Sequence, residues 1–356
     1  MKAISINTNI HTTNGIKQAK DLTLNDSVYG ADGKAYAVTG IKKQGKEDVY
    51  RVTGNTGTKY LCTSSQTIKY QTHNDLRKGI YRTDTLQEIL GKGLYYKMDS
   101  GKKYKVSLGL PEAVIYKAQP TTISPYTLGV LIGDGCIRSS IRLTNGEKDI
   151  IEMVSEDLSN YGQNIYTVKG VNAINISFSK SKQLIADFED LGLYNSYSYT
   201  KFIPKQYKYN SIEIRKAVLG GLIDTDGHIT KNCVNYSTTS LVLAEDVKEL
   251  TESLGGTASI STQCEAGTYI SNGKEYNNRK AYVVVLRLPN LSDIVRSAKH
   301  KAKLNSGFYN PQSKIRKVLK EADYIGKHET ISFNTTNPDD TFLTDGFTVA
   351  ITPRFS

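Results

Sequence analysis

Two short segments place acidic residues where metal chemistry could be done. LGVLIGDG occupies 128–135 and LGGLIDTDG occupies 219–227; each ends in Asp-Gly, which singles out Asp134 and Asp226. Gly129 and Gly133 are four apart in the first segment, as are Gly221 and Thr225 in the second. That spacing sets small residues on one helix face, so two backbones can approach closely. Val130, Leu131, Ile132, Leu222 and Ile223 would fill the surrounding cores. Gly135 and Gly227 suit the left-handed position just past a helix end. Asp134 and Asp226 are then expected at helix C-termini, where the macrodipole disfavours an anion by roughly 0.3–1 kcal/mol. Brought together, the two carboxylates would also repel each other. A divalent cation between them relieves both penalties, and oxygen ligands suit Mg2+ or Mn2+. With Gly133 and Thr225 counted in the same metal site, the expected chemistry is metal-assisted hydrolysis of a phosphodiester, one carboxylate for each strand cut. A single segment of this kind could be only a tight helix pair with a solvent-facing cap. Two copies in register argue for a shared site.

The elements that must position these carboxylates recur along the chain. Ser124-Pro125 opens a helix that runs into the first segment. Strands are expected in CIRSSIRLTN, a helix in EKDIIEMVSEDLSNYG, strands in NIYTVKG and AINISFS, and a helix in SKQLIADFEDLG. The order then returns: a helix in IEIRKAVLGGLIDTDG, strands in HITKNCVNYSTTS, a helix in LAEDVKELTESLGG, a strand in YVVVLRLPN and a helix in LSDIVRSAKHK. This is an αββαββα internal repeat with a period near ninety residues. Residues 119–312 therefore form a pseudo-two-fold domain, and a monomer is expected. The flanks differ. Residues 1–65 are expected to form short strands joined by turns at Asn14-Gly15, Asp32-Gly33 and Gly54 to Gly57. RTDTLQEILGKG near 82–93 is expected to be helical, starting at Thr83 or Asp84. Short strands return in 313–356. The whole is an α+β chain in which the repeat domain is inserted into an all-β domain made of 1–118 and 313–356.

Charge points to the partner. The chain has 356 residues, 46 of them basic and 35 acidic, for a net charge of +11, which favours a polyanion. Val295 to Lys320 holds Arg296, Lys299, Lys301, Lys303, Lys314, Arg316, Lys317 and Lys320 with no acidic residue. A weaker basic excess lies in 66–119. A basic run is as often a plain solvated face, so charge alone leads no further than a polyanion. There is no membrane-length apolar run and no signal-peptide core, so a cytoplasmic location is expected. The four cysteines, Cys62, Cys136, Cys233 and Cys264, are widely spaced, which indicates neither a zinc site nor a disulfide framework.

The two segments resemble the paired motifs of a single-chain LAGLIDADG homing endonuclease. The resemblance implies double-stranded DNA as the partner, with a saddle of two four-stranded sheets in its major groove, a long recognition site and a staggered cut leaving 3′ overhangs. Arg138, Arg142, Lys231 and Asn235 would then contact bases or phosphates, as would Arg296, Lys299 and Lys303 of the basic run. The family carries a lysine in a K-x-I-P segment before the second motif. KFIP matches it here, so the resemblance gives Lys201 the task of orienting water or steadying the transition-state charge. Its equivalent in the second repeat would lie in KHKAKL, where Lys301 is preferred to Lys303.

The outer segments resemble an intein splicing (Hint) domain, in AISINTNIHTTNGIKQAKDLTLNDSVYG, YLCTSSQ and DDTFLTDGFTVA. The splicing residues of that family are missing. Ala3 stands where a Cys or Ser nucleophile is required, and alanine cannot perform an acyl shift. Thr63 matches the threonine of T-x-x-H, but Gln66 replaces its histidine. Asp340 stands for a further histidine, and Ile351 and Thr352 replace the terminal His-Asn. The frame is expected to be inactive in splicing, by natural decay or by an engineered block. A splicing-blocked intein precursor and a non-cutting, maturase-like RNA binder are the competing readings.

Overall fold

The computed structural model describes residues 3–99, 101–167, 173–178, 181–271, 274–311 and 315–355. Expected strands over 164–170 and 173–179, and the expected charge at Lys314, fall partly outside these residues. The chain divides into two compact units, Met1–Ile115 with Arg316–Ser356, and Tyr116–Ile315.

The outer unit is built on a ten-stranded sheet. The hairpin at Asn14-Gly15 is present, pairing Asn9–Thr12 with Gly15–Gln18. Two of the strands are long rather than short: Ala35–Gly54 and Lys317–Thr335 pair antiparallel along nearly their whole length, from Val38↔Thr335 to Gly54↔Leu319. The expected turns at Asp32-Gly33 and Gly54 to Gly57 fall at the two ends of the first long strand. The glycines inside the two strands fall within a ladder whose register shifts repeatedly, including between Tyr324 and Gly326 and between Glu329 and Ile331. Such bulges bend a strand without ending it. The long strands thereby serve two cores. One contains Ile4, Ile10, Val28, Phe333 and Phe342; the other contains Val52, Cys62, Leu86, Ile89 and Leu319. The expected helix over 82–93 is half strand. Arg82–Thr85 pairs with Thr67–Tyr70, and the helix is Leu86–Lys92. Its cap is Thr85, in a reciprocal capping box with Glu88. The Thr83 or Asp84 start is therefore corrected: both residues are committed to the strand, where the Asp84 carboxylate accepts from Tyr70 Oη at 2.6 Å.

The inner unit contains two four-stranded antiparallel sheets with equivalent strand order. The first runs Gly135–Ile137, Ile141–Asn145, Ile174–Ser177, Asn164–Thr167; the second runs Gly227–Ile229, Val234–Thr238, Ala281–Arg287, Thr257–Cys264. Strands alternate buried and exposed residues. Ile141 and Leu143 face the core while Arg142 and Thr144 are exposed; Val234 and Tyr236 face inward around Asn235. The second half carries an added hairpin, Gly267–Ser271 with Lys274–Asn278, that the sequence pattern did not announce. The expected helix LSDIVRSAKHK is broken: a short turn at Leu291–Asp293 precedes a helix at Ala298–Asn305, which Ser297 caps. Among the described residues no helix is long and apolar enough to cross a membrane.

Candidate active site

Both motifs form helices, Pro125–Gly133 and Ile212–Asp226. Proline occupies the first turn of one, and the Ser211 hydroxyl caps the other by accepting from Ile214 N–H. The helices meet through their small residues. A Cβ at Gly129 would overlap the Val218 carbonyl, and one at Gly221 would overlap the Tyr126 carbonyl and lie 2.6 Å from Val130 N. Val130, Leu131, Ile132, Leu222 and Ile223 are buried around this contact.

Gly135 and Gly227 do not adopt the left-handed cap expected of them. Gly227 has φ −91° and ψ 138°, and Gly135 is absent from the positive-φ glycines. Each opens a strand. Glycine is needed there because a Cβ would collide with the last turn of its own helix, at the carbonyls of Leu131 and Ile223.

The turn from helix to strand sets the two carboxylates side by side. A Cβ at Gly133 would lie 3.0 Å from Asp226 Oδ2, so the end of the first helix sits against the carboxylate of the second. Burial, with the nearby charge of Asp134 added to it, pushes the Asp226 carboxyl up to about 6 against the opposing charge of Lys201. Asp134 reaches solvent, yet surrounding protein desolvates its carboxyl and raises it. Asn145 Nδ2, donating to Oδ2 at 2.8 Å, and the Lys201 charge act the other way. Among the described residues no group of three or more His, Cys, Asp or Glu side chains could hold a metal. Two mutually repelling carboxylates fit a hard cation that keeps its other positions for water or phosphate oxygens.

Lys201 is beside this pair and buried. Its ammonium donates to the carbonyls of Ile132 and Gly135 at 2.7 Å, and it lies 3.2 Å from those of Leu131 and Gly133. It thus caps the C-terminus of the first motif helix, and the Gly133 carbonyl is already engaged. Burial lowers its pKa to about 8 against the opposing pull of Asp226 and Asp134. Thr225 Oγ1 bonds back to the Gly221 and Leu222 carbonyls. A cavity of about 260 Å³ is lined by Gly133, Ser198, Lys201, Asp226, Tyr236 and Thr238, among others.

Lys301 is exposed on the helix Ala298–Asn305, and nothing on that helix repeats the Lys201 arrangement. Lys299 pairs with Glu147 at 3.2 Å, Lys303 lies over the Phe308 ring, and Arg296 lies over Tyr126. Arg138 and Arg142 are exposed at the first sheet. Lys231 is exposed in the turn before Val234, and Asn235 is half-buried on the outward side of its strand.

In the outer unit Ala3 is buried, and its carbonyl accepts from Thr63 Oγ1 at 2.6 Å. Gln66 is buried with Oε1 lacking a partner among the described residues. Asp340 is ion-paired with Arg354. Its carbonyl accepts from Thr352 N–H at 2.7 Å, and Ile351 ends the final strand.

Four residues of the inner unit escaped sequence reasoning. Asn145 holds Asp134. Tyr236 lines the cavity with a buried hydroxyl that has no partner among the described residues; burial and the two motif carboxylates push its phenol well above 10. Asp224 is buried and holds the chain at Arg296 and Ser297. Arg215, fully buried, donates to Asn210 O and to Ser253. Only Asp224 left a signal, as a carboxylate where the first motif has Ile132.

Residues 213–295 match the LAGLIDADG-like domain family. The chain is 25% identical over 305 residues to the replicative DNA helicase DnaB of Mycobacterium intracellulare. That match spans 80% of this chain and 46% of the helicase, so the chain covers about half the length of this relative. Among solved structures, I-DmoI in complex with DNA and Ca is similar at TM-score 0.36 and 18% identity, over 51% of this chain and 96% of that one. The MchDnaB-1 intein is similar at TM-score 0.20 and 19% identity, over 29% of this chain and 74% of that one. The stretch similar to the LAGLIDADG-like domain thus spans the second motif helix from Glu213 onward and all four strands of the sheet that follows it.

Proposed function

We propose that this chain is a site-specific homing endonuclease that cuts both strands of a long DNA target by metal-assisted hydrolysis. The observation that carries the reading is the pair Asp134 and Asp226, one from each motif, desolvated together at the ends of close-packed helices. Mg2+ or Mn2+ held by these carboxylates would neutralise their repulsion and supply Lewis-acid activation at a phosphodiester. The chain's own residues do the rest. Asn145 orients Asp134. Lys201 holds the end of the first helix and adds positive charge beside both carboxylates. The outward faces of the two sheets present Arg142, Thr144 and Asn235 to the groove. The inner unit acts as a monomer in which each half supplies one motif carboxylate.

The frame of 1–118 and 313–356 is an intein-like domain without splicing activity, since Ala3, Gln66, Ile351 and Thr352 supply neither nucleophile nor cyclising asparagine. A tagged chain should keep a single intact mass.

The test is selection of cleavable sites from a randomised duplex library with and without Mg2+, followed by Asp134→Asn and Asp226→Asn. Each variant should lose at least one strand cut while still binding the selected site. Double-strand cleavage unchanged in both variants would overturn the mechanism. Tight RNA binding with no cleaved DNA in the library would favour the maturase-like reading instead.

A further inference from the structure

The segment joining the two halves of the inner unit carries Tyr197 and Tyr199, whose rings stack at 5.2 Å with an interplanar angle of 23°. The stack continues at both ends. Arg138, just past the first strand of the first sheet, lies over the Tyr197 ring at 4.4 Å. Arg279, before the strand Ala281–Arg287 of the second sheet, lies over the Tyr199 ring at 3.8 Å. Both arginines are exposed, and among the described residues neither is paired with a carboxylate. Ser198, between the two tyrosines, lines the cavity shared by Lys201 and Asp226.

A guanidinium lying on a ring face keeps its in-plane N–H donors free, and those donors match phosphate oxygens in pairs. Stacking also restricts a long side chain before any ligand arrives, which lowers the entropy lost on binding. We propose that Arg138, Tyr197, Tyr199 and Arg279 form a clamp for two backbone phosphates of duplex DNA at the mouth of the catalytic cavity. Each half contributes one arginine, and the connecting segment sets their separation. The clamp rests on the DNA-binding reading above and assigns Arg279 and the connecting tyrosines a part in it.

The test is equilibrium binding of the full chain to a random-sequence duplex of about 30 base pairs, in EDTA, across a salt series. Each phosphate contact adds about 0.9 to the slope of log affinity against log salt. Arg138→Gln and Arg279→Gln should each make the slope shallower by about 0.9, and the double variant by about 1.8. Lys280→Gln is the control, because Lys280 neighbours Arg279 but pairs with Glu265 at 3.1 Å; it should keep the wild-type slope. Tyr197→Ser/Tyr199→Ser should weaken binding several-fold at low salt. Wild-type slopes in both arginine variants, an equal loss in Lys280→Gln, or wild-type affinity in the tyrosine variant would overturn the clamp alone. Absence of duplex binding by the wild-type chain would overturn the DNA reading with it.

Discussion

Asp224 Oδ1 lies 2.9 Å from His300 Nδ1 in the interior of the inner unit, tying the second motif helix to the helix Ala298–Asn305. The same carboxylate accepts from Arg296 N–H at 2.7 Å, from Ser297 N–H and Oγ at 2.9 Å, and from Tyr126 Oη at 2.9 Å. Burial drives this carboxyl up, but the hydrogen bonds from His300 and the Arg296–Ser297 backbone outweigh it and hold the pKa below the ordinary value. Stability from such a group is present above the unfolded value of 3.8 and is lost as pH falls through the depressed folded value. Asp224→Ala should cost at least about 3 kcal/mol by leaving buried donors unpaired. Its acid-unfolding curve should lack the component below about pH 4. Calorimetry over a pH series reads both effects.

Asp226 has the opposite sign. Its folded pKa of about 6 lies above the unfolded value of 3.8. In metal-free protein its ionisation therefore destabilises the fold increasingly from about pH 4 to 6, after which the penalty is constant. Asp226→Asn in EDTA should raise Tm at pH 7 by a few degrees, at roughly 2–4 °C per kcal/mol. Added Mn2+ should raise the wild-type Tm, by about 2.7 kcal/mol of stability at a hundred times Kd, and leave the variant unmoved. Equal responses would remove Asp226 from the metal site.

The glycines of the first motif separate packing from chemistry. Gly129→Ala drives a methyl group into the Val218 carbonyl, and the helices cannot part without exposing the buried Val130, Leu131, Leu222 and Ile223. A loss of about 1–3 kcal/mol or more is expected in denaturant titration. Gly133→Ala instead meets side-chain atoms, Thr225 Oγ1 and Cβ and Asp226 Oδ2. The strain falls on the Thr225 rotamer, with its bonds to the Gly221 and Leu222 carbonyls, and on the carboxylate rather than on a facing backbone carbonyl. The variant should cost less stability but weaken Mn2+ binding, measured by calorimetric titration.

Lys201→Met tests the helix cap. The variant leaves the carbonyls of Ile132 and Gly135 buried without their donor. Each such group costs about 1–3 kcal/mol, so thermal stability should fall along with cleavage. A purely catalytic lysine would leave Tm unchanged.

The motif helices, the repeat and the two sheets were legible because each depends on local pattern: small residues four apart, then alternating strands. What escaped depends on partners far along the chain. Tyr236 is indistinguishable from any inward strand tyrosine until the cavity beside Asp226 is built. Lys201 was singled out by motif, but that its donors turn to backbone carbonyls follows only from where the first helix ends. Gly135 and Gly227 were noticed for the wrong reason: Asp-Gly suggests a left-handed cap, whereas the steric demand is the close return of strand against helix. The long ladder of 35–54 with 317–335 was hidden because bulges and turns share the same residues.

That ladder has a consequence for how the chain comes together. Ser107 pairs with Val318, and the chain then runs to the turn at Ala31 and Gly33, where Ile115 N–H donates to the Gly33 carbonyl before the inner unit begins at Tyr116. Synthesis completes the inner unit before Lys317 is made, and the outer sheet closes last, across a loop of some two hundred residues. Closure entropy grows only logarithmically, by about 0.6 kcal/mol per doubling of length. The outer unit thus carries a large passenger at small thermodynamic expense, while pairings of such long sequence separation are of the kind that slow folding.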